Sequence, residues 1–199
     1  MYSKFVKRSI DFTLSLCGIV ILSVPMIIIA LIIKLDSKGP VFFWQKRVGL
    51  NKKTFMMPKF RTMRTDAPAN MPTHLLNDPE VWITCVGKVL RKTSLDELPQ
   101  MFSILKGDMS IVGPRPHMLK HTEEYSELID NYLVRHMVKP GITGWAQVTG
   151  FRGETKELYQ MKGRVEADIW YMEHWSFLLD LFIIYKTFAN VVKGEKEAY

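Results

Sequence analysis

The sequence predicts a mainly helical α/β protein with a short β-hairpin and an N-terminal membrane helix. Three observations support this: an uncharged apolar run near the N-terminus, a β-branched and aromatic segment with a Gly/Asn turn, and later segments whose apolar residues recur every three or four positions. A chain of 199 residues accommodates one domain, or a smaller domain with a membrane element. We expect a membrane anchor over residues 1–38 and a separate folded domain over residues 39–199.

The apolar run carries no charged residue from Phe12 to Ile33. At about 1.5 Å per residue it is long enough to cross a hydrocarbon core about 30 Å thick, and it is too long for a cleaved signal peptide. Pro25 favours a kink, where the Ser23 hydroxyl is placed to satisfy a freed carbonyl. Cations flank both ends of the run, at Lys4, Lys7, Arg8, Lys34 and Lys38. The positive-inside rule draws both ends to one face, which predicts a bent re-entrant helix, with a straight span as the alternative.

The charge balance is basic, with 27 Lys and Arg against 20 Asp and Glu and a net charge of +7. An anionic partner is therefore expected: nucleic acid, a lipid surface or a phosphorylated substrate. The apolar run and the absence of a recognised nucleic-acid-binding module argue against nucleic acid. Two separated cysteines, Cys17 and Cys85, indicate neither a disulfide framework nor a cysteine metal site.

The segment from Val41 to Phe55 predicts two short strands around a Gly/Asn turn. Seven cations and no acid lie between residues 46 and 64. Contact with anionic lipid suffices to explain three of them, Lys46, Lys52 and Lys53. Lys59 and Arg61 alternate in an extended segment, which places both on one side, and we expect them to contact substrate phosphate.

Two further helices are predicted, over residues 117–136 and 164–185, with a Gly-punctuated, partly extended segment over residues 142–150 between them. The second helix has an aromatic and apolar face at three- and four-residue spacing. This face suits either the lipid headgroup layer or the protein core. It consists of Tyr171, Trp175, Leu178, Phe182 and Tyr185.

The strongest chemical signal lies between Leu90 and Pro116. Adjacent carboxylates, Asp96 and Glu97, follow the cation Arg91, and Arg115 stands between two prolines that restrict its backbone. Carboxylates and arginines together suit a divalent metal and phosphate.

Two structural alternatives compete with that interpretation. Ser94 and Glu97 fit the S-x-x-E capping box at the start of a helix, although Pro99 weakens the pattern. Arg115 has Asp108 nearby in sequence as a structural ion-pair partner, against our assignment of Arg115 to a nucleotide phosphate.

Five segments, in this order along nearly the whole chain, closely resemble the bacterial sugar transferase family, the monotopic polyprenyl-phosphate phosphoglycosyl transferases. Residues 152–155 and 168–180 are most similar to members that use glucose or galactose. The five segments are the apolar run with Pro25, KFRTM (59–63), LRKTSLDELPQ (90–100), KGDMSIVGPRP (106–116) and KPGITGWAQV (139–148).

The resemblance implies a re-entrant membrane helix and a small α/β catalytic part on the cytoplasmic face of the bacterial inner membrane. It also implies Mg²⁺-dependent transfer of a sugar-1-phosphate from a UDP-sugar to a polyprenyl phosphate. Asp96 and Glu97 are then the catalytic pair, and both are the expected metal ligands. The expected substrate-binding residues are Lys59, Arg61, Arg91, Arg115, Arg152 and Glu154.

In the expected reaction Asp96 attacks the sugar-proximal phosphorus, UMP leaves, and the polyprenyl phosphate then attacks the phosphosugar held on the aspartate.

Asp168 is either a partner for one of the site arginines or part of a solvated helix face. The rival interpretation is a non-catalytic peripheral membrane adaptor that binds anionic lipid through its basic face, which leaves the carboxylate pair without a task. The sequence fixes neither the sugar nor the prenyl length, and it leaves a homodimer open.

Overall fold

The computed structural model describes residues 4–67, 79–153 and 157–193, and these confirm a mainly helical chain with a short β-hairpin. The division at residue 38 stays a prediction. The helices are α1 (Lys4–Asp36), α2 (Pro79–Trp82), α3 (Cys85–Thr93), α4 (Gln100–Lys106), α5 (Leu119–Leu128), α6 (Trp145–Val148), α7 (Leu158–Glu173) and α8 (Phe177–Lys193). The strands are β1 (Phe42–Val48), β2 (Thr54–Phe60), β3 (Ser110–Val112) and β4 (Gly141–Thr143).

The helix α1 is continuous across Pro25 and, by length and composition, is the one helix among the described residues able to cross a membrane. The Ser23 hydroxyl donates to the carbonyl of Val20 at 2.8 Å. Pro25 has no N–H to donate to the carbonyl of Ile21, and we expected the Ser23 hydroxyl to replace that donor. The hydroxyl bonds the carbonyl of Val20 instead.

One face of α1 packs against the rest of the protein along the length of the helix. Its buried or close-packed positions recur at helical spacing, as expected for one face of a 3.6-residue helix. The opposite face exposes large apolar side chains, among them Val20 and Ile21. The packed positions are Asp11, Ser15, Gly18, Leu22, Met26, Ile29 and Ile33.

Polar contacts fix the start of α1. The ammonium of Lys7 lies 2.6 Å from a carboxylate oxygen of Asp180. Arg8 donates to two main-chain carbonyls at the end of α4, at 2.6 and 2.7 Å. The buried carboxylate of Asp11 accepts the main-chain N–H of Ile111 in β3 at 3.0 Å. The N-terminal end of α1 is thus bound to α4, β3 and α8.

The other end of α1 is held by Arg61, which follows β2. Its guanidinium donates to the carbonyls of Ser37 and Lys38 at 2.8 and 2.6 Å. A cation at the carbonyl end of a helix is electrostatically favoured and satisfies groups that the helix leaves unpaired. Both ends of α1 therefore contact the same folded body.

The predicted hairpin is confirmed. Strands β1 and β2 pair antiparallel, with Phe42 opposite Phe60 and Val48 opposite Thr54. The turn between them includes Asn51 in the left-handed conformation, at φ 52°, which asparagine tolerates better than most residues. The hairpin extends further than the sequence indicated, because β2 runs on through Pro58 to Phe60.

The predicted helix boundaries are partly wrong. The helix expected over residues 117–136 ends at Leu128, and left-handed Asn131 leads into a 3-10 segment at Tyr132–Met137. The segment expected to be one helix over residues 164–185 contains parts of two helices, because α7 ends at Glu173 and α8 begins at Phe177. The Ser176 hydroxyl accepts the N–H of Leu179, a bond typical of a helix start.

The aromatic face predicted for that helix divides between core and surface. Tyr171 is buried and Trp175 half-buried, whereas Leu178, Phe182 and Tyr185 are exposed. Tyr171 on α7 and Trp175, between α7 and α8, pack in the core cluster that includes Val112 of β3. The three residues on α8 form part of an exposed apolar surface.

A second, two-stranded sheet supports the candidate site. Strands β3 and β4 pair in parallel, with Ser110 opposite Gly141 and Val112 opposite Thr143. Strand β3 leads directly into the Pro-Arg-Pro segment that carries Arg115. The segment predicted to be partly extended after residue 142 contributes only β4 before α6 begins.

Candidate active site

A short 3-10 turn, Leu95–Glu97, carries the carboxylate pair between α3 and α4. Ser94 ends α3 in the left-handed conformation, at φ 57°. Its hydroxyl makes no cap bond to the turn and instead accepts from Arg152 at 2.9 Å. The capping-box alternative is therefore wrong: Asp96 and Glu97 point into the protein, where both are buried.

Glu97 is neutralised by two cations from distant parts of the chain. The ammonium of Lys59 lies 2.7 Å from Oε1, and Nη2 of Arg115 lies 2.7 Å from the same oxygen. A second Arg115 nitrogen donates to Oε2 at 3.4 Å. Burial alone would raise the pKa of Glu97, but Arg115 and Lys59 outweigh it and hold the pKa well below its usual range.

Asp96 is the less neutralised member of the pair. Its nearest cation is Lys59, whose ammonium lies 3.8 Å from Oδ2. Burial raises the pKa of Asp96 to about 6, with Glu97 adding to the rise and Lys59 and Arg91 opposing it. No donor among the described residues reaches its buried Oδ1. Neighbouring carboxylates with pKa values so far apart are suited to different roles.

The structure brings most of the predicted substrate-binding cations to this turn. Lys59 and Arg115 contact the pair directly, and Arg152 bonds Ser94 beside it. Arg91 donates to the hydroxyl of Thr62 at 2.9 Å and lies close enough to lower the pKa of Asp96.

Two predicted residues stand apart. The guanidinium of Arg61 is directed to the end of α1, so Lys59 and Arg61 do not share a target as strand alternation predicted. The reason is that β2 ends at Phe60, where the alternation stops. Glu154 lies outside the described residues.

The main chain of Arg115 is held by a buried ion pair. Nη2 of Arg135 donates to the Arg115 carbonyl at 2.9 Å and lies 2.7 Å from a carboxylate oxygen of Asp168. Asp168 is thus a buried partner of an arginine that sequence reasoning missed, and the solvated-face alternative is wrong. Asp108 pairs with Lys106, so the ion pair predicted as the alternative for Arg115 is also wrong.

Further buried polar residues surround Arg115. Burial and Arg115 itself lower the pKa of Arg47 to about 10, and burial with Arg115 and Arg135 does the same for Arg164. Buried His117 lies against Arg135, and the same burial and positive charge hold its pKa well below 6.5. Sequence reasoning did not select Arg47 as a site residue. The available signal was its position in a predicted strand, where Gln45 and Arg47 lie on the same side.

The donor set at the pair fits magnesium only in part. Oδ1 of Asp96 is a buried carboxylate oxygen without a hydrogen-bond partner in the part of the chain that the structure describes, as expected for a metal ligand. Both oxygens of Glu97 already accept from cations. The described residues contain no group of three or more His, Cys, Asp or Glu that could hold a metal. Magnesium commonly takes one or two carboxylates, with phosphate oxygens and water as its other ligands, so Asp96 fits such a site.

Comparison with known proteins identifies the family of the chain. The sequence model of the bacterial sugar transferase family matches residues 2–194. The chain belongs to the bacterial sugar transferase family. The match confirms the resemblance to this family over almost the whole length of the chain.

Individual relatives carry more specific names. The chain is 51% identical over 174 residues, 87% of its length, to UDP-glucose:undecaprenyl-phosphate glucose-1-phosphate transferase of Xanthomonas campestris pv. campestris, covering 36% of that protein. It is 46% identical over 200 residues, 99% of its length, to the protein of the same name from Escherichia coli (strain K12), covering 42% of it. A 41% identical relative, exopolysaccharide production protein PSS of Rhizobium leguminosarum bv. phaseoli, is covered over 94% of its length and 92% of this chain. The chain therefore spans about two fifths of the first two relatives.

Replacing Asp168 by Asn should destabilise the protein, because it leaves the charge of Arg135 buried without its counter-ion. We expect a loss of about 3 to 5 kcal/mol in the free energy of unfolding, measured by thermal or denaturant unfolding in detergent. Glu80→Gln, which breaks the exposed pair with Lys88, is the matched control and should leave stability unchanged. An equal effect of both substitutions would contradict the role given to the buried pair.

Proposed function

We propose that this protein transfers a sugar-1-phosphate from a UDP-sugar to a polyprenyl phosphate, with Asp96 as the nucleophile. The observation that carries the proposal is the asymmetry of the carboxylate pair. Glu97 is neutralised by two cations, whereas Asp96 has a pKa of about 6 and a buried oxygen that no donor in the described parts of the chain reaches. Membership of the family and the names of the relatives support the reaction class.

The cations around the pair suit the donor's diphosphate. A diphosphate repels an attacking carboxylate, so the site must first neutralise its charge and hold the reacting groups in line. Arg115 has a planar fork for phosphate oxygens and a main chain fixed by Arg135. Lys59 and Arg91 supply further positive charge on the side of Asp96.

Two displacements at one phosphorus complete the transfer. A carboxylate oxygen of Asp96 bonds to the sugar-proximal phosphorus, and the bond from that phosphorus to the oxygen of UMP breaks with its electron pair. A phosphate oxygen of the polyprenyl phosphate then bonds to the same phosphorus and returns the Asp96 carboxylate. The intermediate is a phosphoglycosyl-aspartate, the product is a polyprenyl diphosphate sugar, and the order is ping-pong.

Magnesium, if bound through Asp96, would offset phosphate charge at this site. Glu97, proposed from the sequence as a second ligand, would have to exchange its contact with Lys59 or Arg115 for the metal. Its present contacts favour a different task, which is to hold those two cations beside Asp96.

The packing of α1 supports a proposal for the membrane placement. Contacts run from Lys7 at its start to Ser37 just beyond its end, all with one folded body. A straight span would separate those ends by the thickness of the bilayer. We therefore propose a re-entrant helix that enters and leaves at the cytoplasmic face of the bacterial inner membrane, with the exposed apolar side of α8 in the headgroup layer.

The donor sugar is the least constrained part of the proposal. The Xanthomonas and Escherichia coli relatives are named for UDP-glucose, whereas a 38% identical relative from Aeromonas hydrophila is named for UDP-N-acetylgalactosamine. We propose UDP-glucose as the first donor to assay, with UDP-galactose and the N-acetylated donors beside it.

Incubating the protein with UDP-sugar labelled in the β-phosphate, with magnesium and without lipid acceptor, should place close to one label on each active molecule. Asp96→Asn should show none, because the amide is not a comparable nucleophile. Labelled protein resolved by gel and digested to peptides measures this. Asp108→Asn, which alters a carboxylate outside the pair, is the control and should label as the unaltered protein does.

Acceptor-dependent turnover without any covalent label would favour direct attack by the lipid phosphate. Full turnover in Asp96→Ala would exclude this residue as nucleophile. Release of no UMP from any UDP-sugar, with polyprenyl phosphate present, would favour the adaptor interpretation instead.

The pH dependence of kcat/KM should show an acid limb near pH 6, since Asp96 attacks as the carboxylate and its pKa is about 6. Activity should fall about tenfold for each pH unit below that value. Lys59 lowers the pKa of Asp96, so Lys59→Met should move the acid limb to higher pH. Lys46→Met, on the exposed part of the same hairpin, should leave the limb in place. An unshifted limb in Lys59→Met would contradict the assignment.

The re-entrant path predicts that both ends of α1 lie on the cytoplasmic side. Single cysteines at Lys4→Cys and Lys38→Cys, made with the native Cys17 and Cys85 changed to serine, should resist a membrane-impermeant maleimide in intact spheroplasts. Both should react once the membrane is permeabilised, which is the control for reactivity. Reaction of one end from outside would show a spanning helix.

A further inference from the structure

A cavity of about 120 Å³ lies at the start of α1, apart from the carboxylate pair. It is bounded by the first turns of α1, strand β3, the segment before β4, and the junction of α7 with α8. None of its lining residues contacts Asp96 or Glu97 among the bonds and ion pairs described above. The lining side chains that matter here are Lys4, Lys7, Arg8, Lys139 and Trp175.

The cavity is positively charged after its internal ion pairs are accounted for. Lys7 is matched by Asp180 at 2.6 Å. This leaves Lys4, Arg8 and Lys139 against one lining acid, Asp11, whose carboxylate accepts the N–H of Ile111. Within the described parts of the chain, no carboxylate lies in ion-pair distance of Lys139. Burial and the charge of Arg8 lower the pKa of Lys139, and the charges of Asp11 and Asp108 oppose this in part.

The cavity also has apolar walls. Val112, Met137 and Met172 line it together with the cations. Cations and apolar walls together suit a group with a phosphate at one end and hydrocarbon at the other.

The surroundings place this cavity beside lipid. Lys4 to Arg8 precede the exposed apolar face of α1, and Phe177 and Leu178 at the start of α8 are also exposed. Trp175 stands at the rim, and tryptophan is typical of the membrane–water interface. Basic pockets in such a position bind the head groups of anionic lipids.

We propose that this cavity binds the phosphodiester head group of an anionic phospholipid, with Lys4 and Lys139 on the phosphate and with Arg8, whose guanidinium donates to the carbonyls at the end of α4, adding positive charge. The occupant is a structural lipid that fixes the start of α1, and the proposal depends on membrane association and not on the transfer reaction. A polyprenyl phosphate is the less suitable occupant, since it must present its phosphate to Asp96.

The test uses the full chain in detergent and native mass spectrometry, which counts bound lipids. Dioctanoyl phosphatidylglycerol should bind as a single adduct, at least about fivefold more tightly than dioctanoyl phosphatidylcholine. Lys139→Ala should weaken the phosphatidylglycerol adduct about fivefold, and Lys139→Arg should retain it. Lys53→Ala removes the same charge from the exposed hairpin turn and should leave the adduct unchanged.

Several results would overturn the proposal. An equal loss in Lys53→Ala would indicate diffuse attraction to the basic surface. Displacement of the lipid by equimolar inorganic phosphate would indicate a site for free anions, and displacement by equimolar undecaprenyl phosphate would indicate an acceptor site. UMP release in detergent without phosphatidylglycerol should be equal in Lys139→Ala and the unaltered protein, which separates this test from the proposed transfer reaction.

Discussion

The arrangement of the candidate site depends on the neutralisation of Glu97 in the protein interior. A carboxylate buried without counter-charges is costly, and here Lys59 from β2 and Arg115 from the Pro-Arg-Pro segment supply them. These two contacts tie the hairpin and the end of β3 to the turn between α3 and α4. They also concentrate positive charge beside Asp96, whose own burial keeps its pKa near 6. One carboxylate thereby organises the site, and the other keeps an oxygen for chemistry.

The positive charge behind Arg115 exceeds what the buried acids require. Arg47, Arg135 and Arg164 crowd around it, and their mutual repulsion contributes to the lowered pKa values of Arg47 and Arg164. Asp168 offsets only part of this charge. Charge of one sign held in place before a ligand arrives requires little reorganisation when that ligand is anionic. In the proposed reaction, a nucleoside diphosphate bound at Arg115 would offset part of this repulsion.

The sequence was most informative where local rules decide the structure. The apolar run, the hairpin turn and the adjacent acids needed only composition, turn chemistry and spacing, and the structure contains each of them. It was least informative where distant segments meet. Arg61 could not be distinguished from Lys59 by alternation, because its target is the end of α1. Arg135 gave no local signal, and the partner of Asp168 could not be identified, because the two residues pair across 33 residues of chain inside the core.

The membrane helix and the site share their supports, which links the position of one to the position of the other. Helix α4 begins three residues after Glu97 and ends at the carbonyls that Arg8 binds. Strand β3, whose Ile111 donates to Asp11, leads to Arg115. The first turns of α1 thus contact the elements that flank the site on both sides. Because packed elements move together more readily than they deform, the proposed depth of α1 in the bilayer would set the height of Asp96 above it. In the proposed reaction, a lipid phosphate at the interface then meets Asp96 at a distance from the membrane that the anchor fixes.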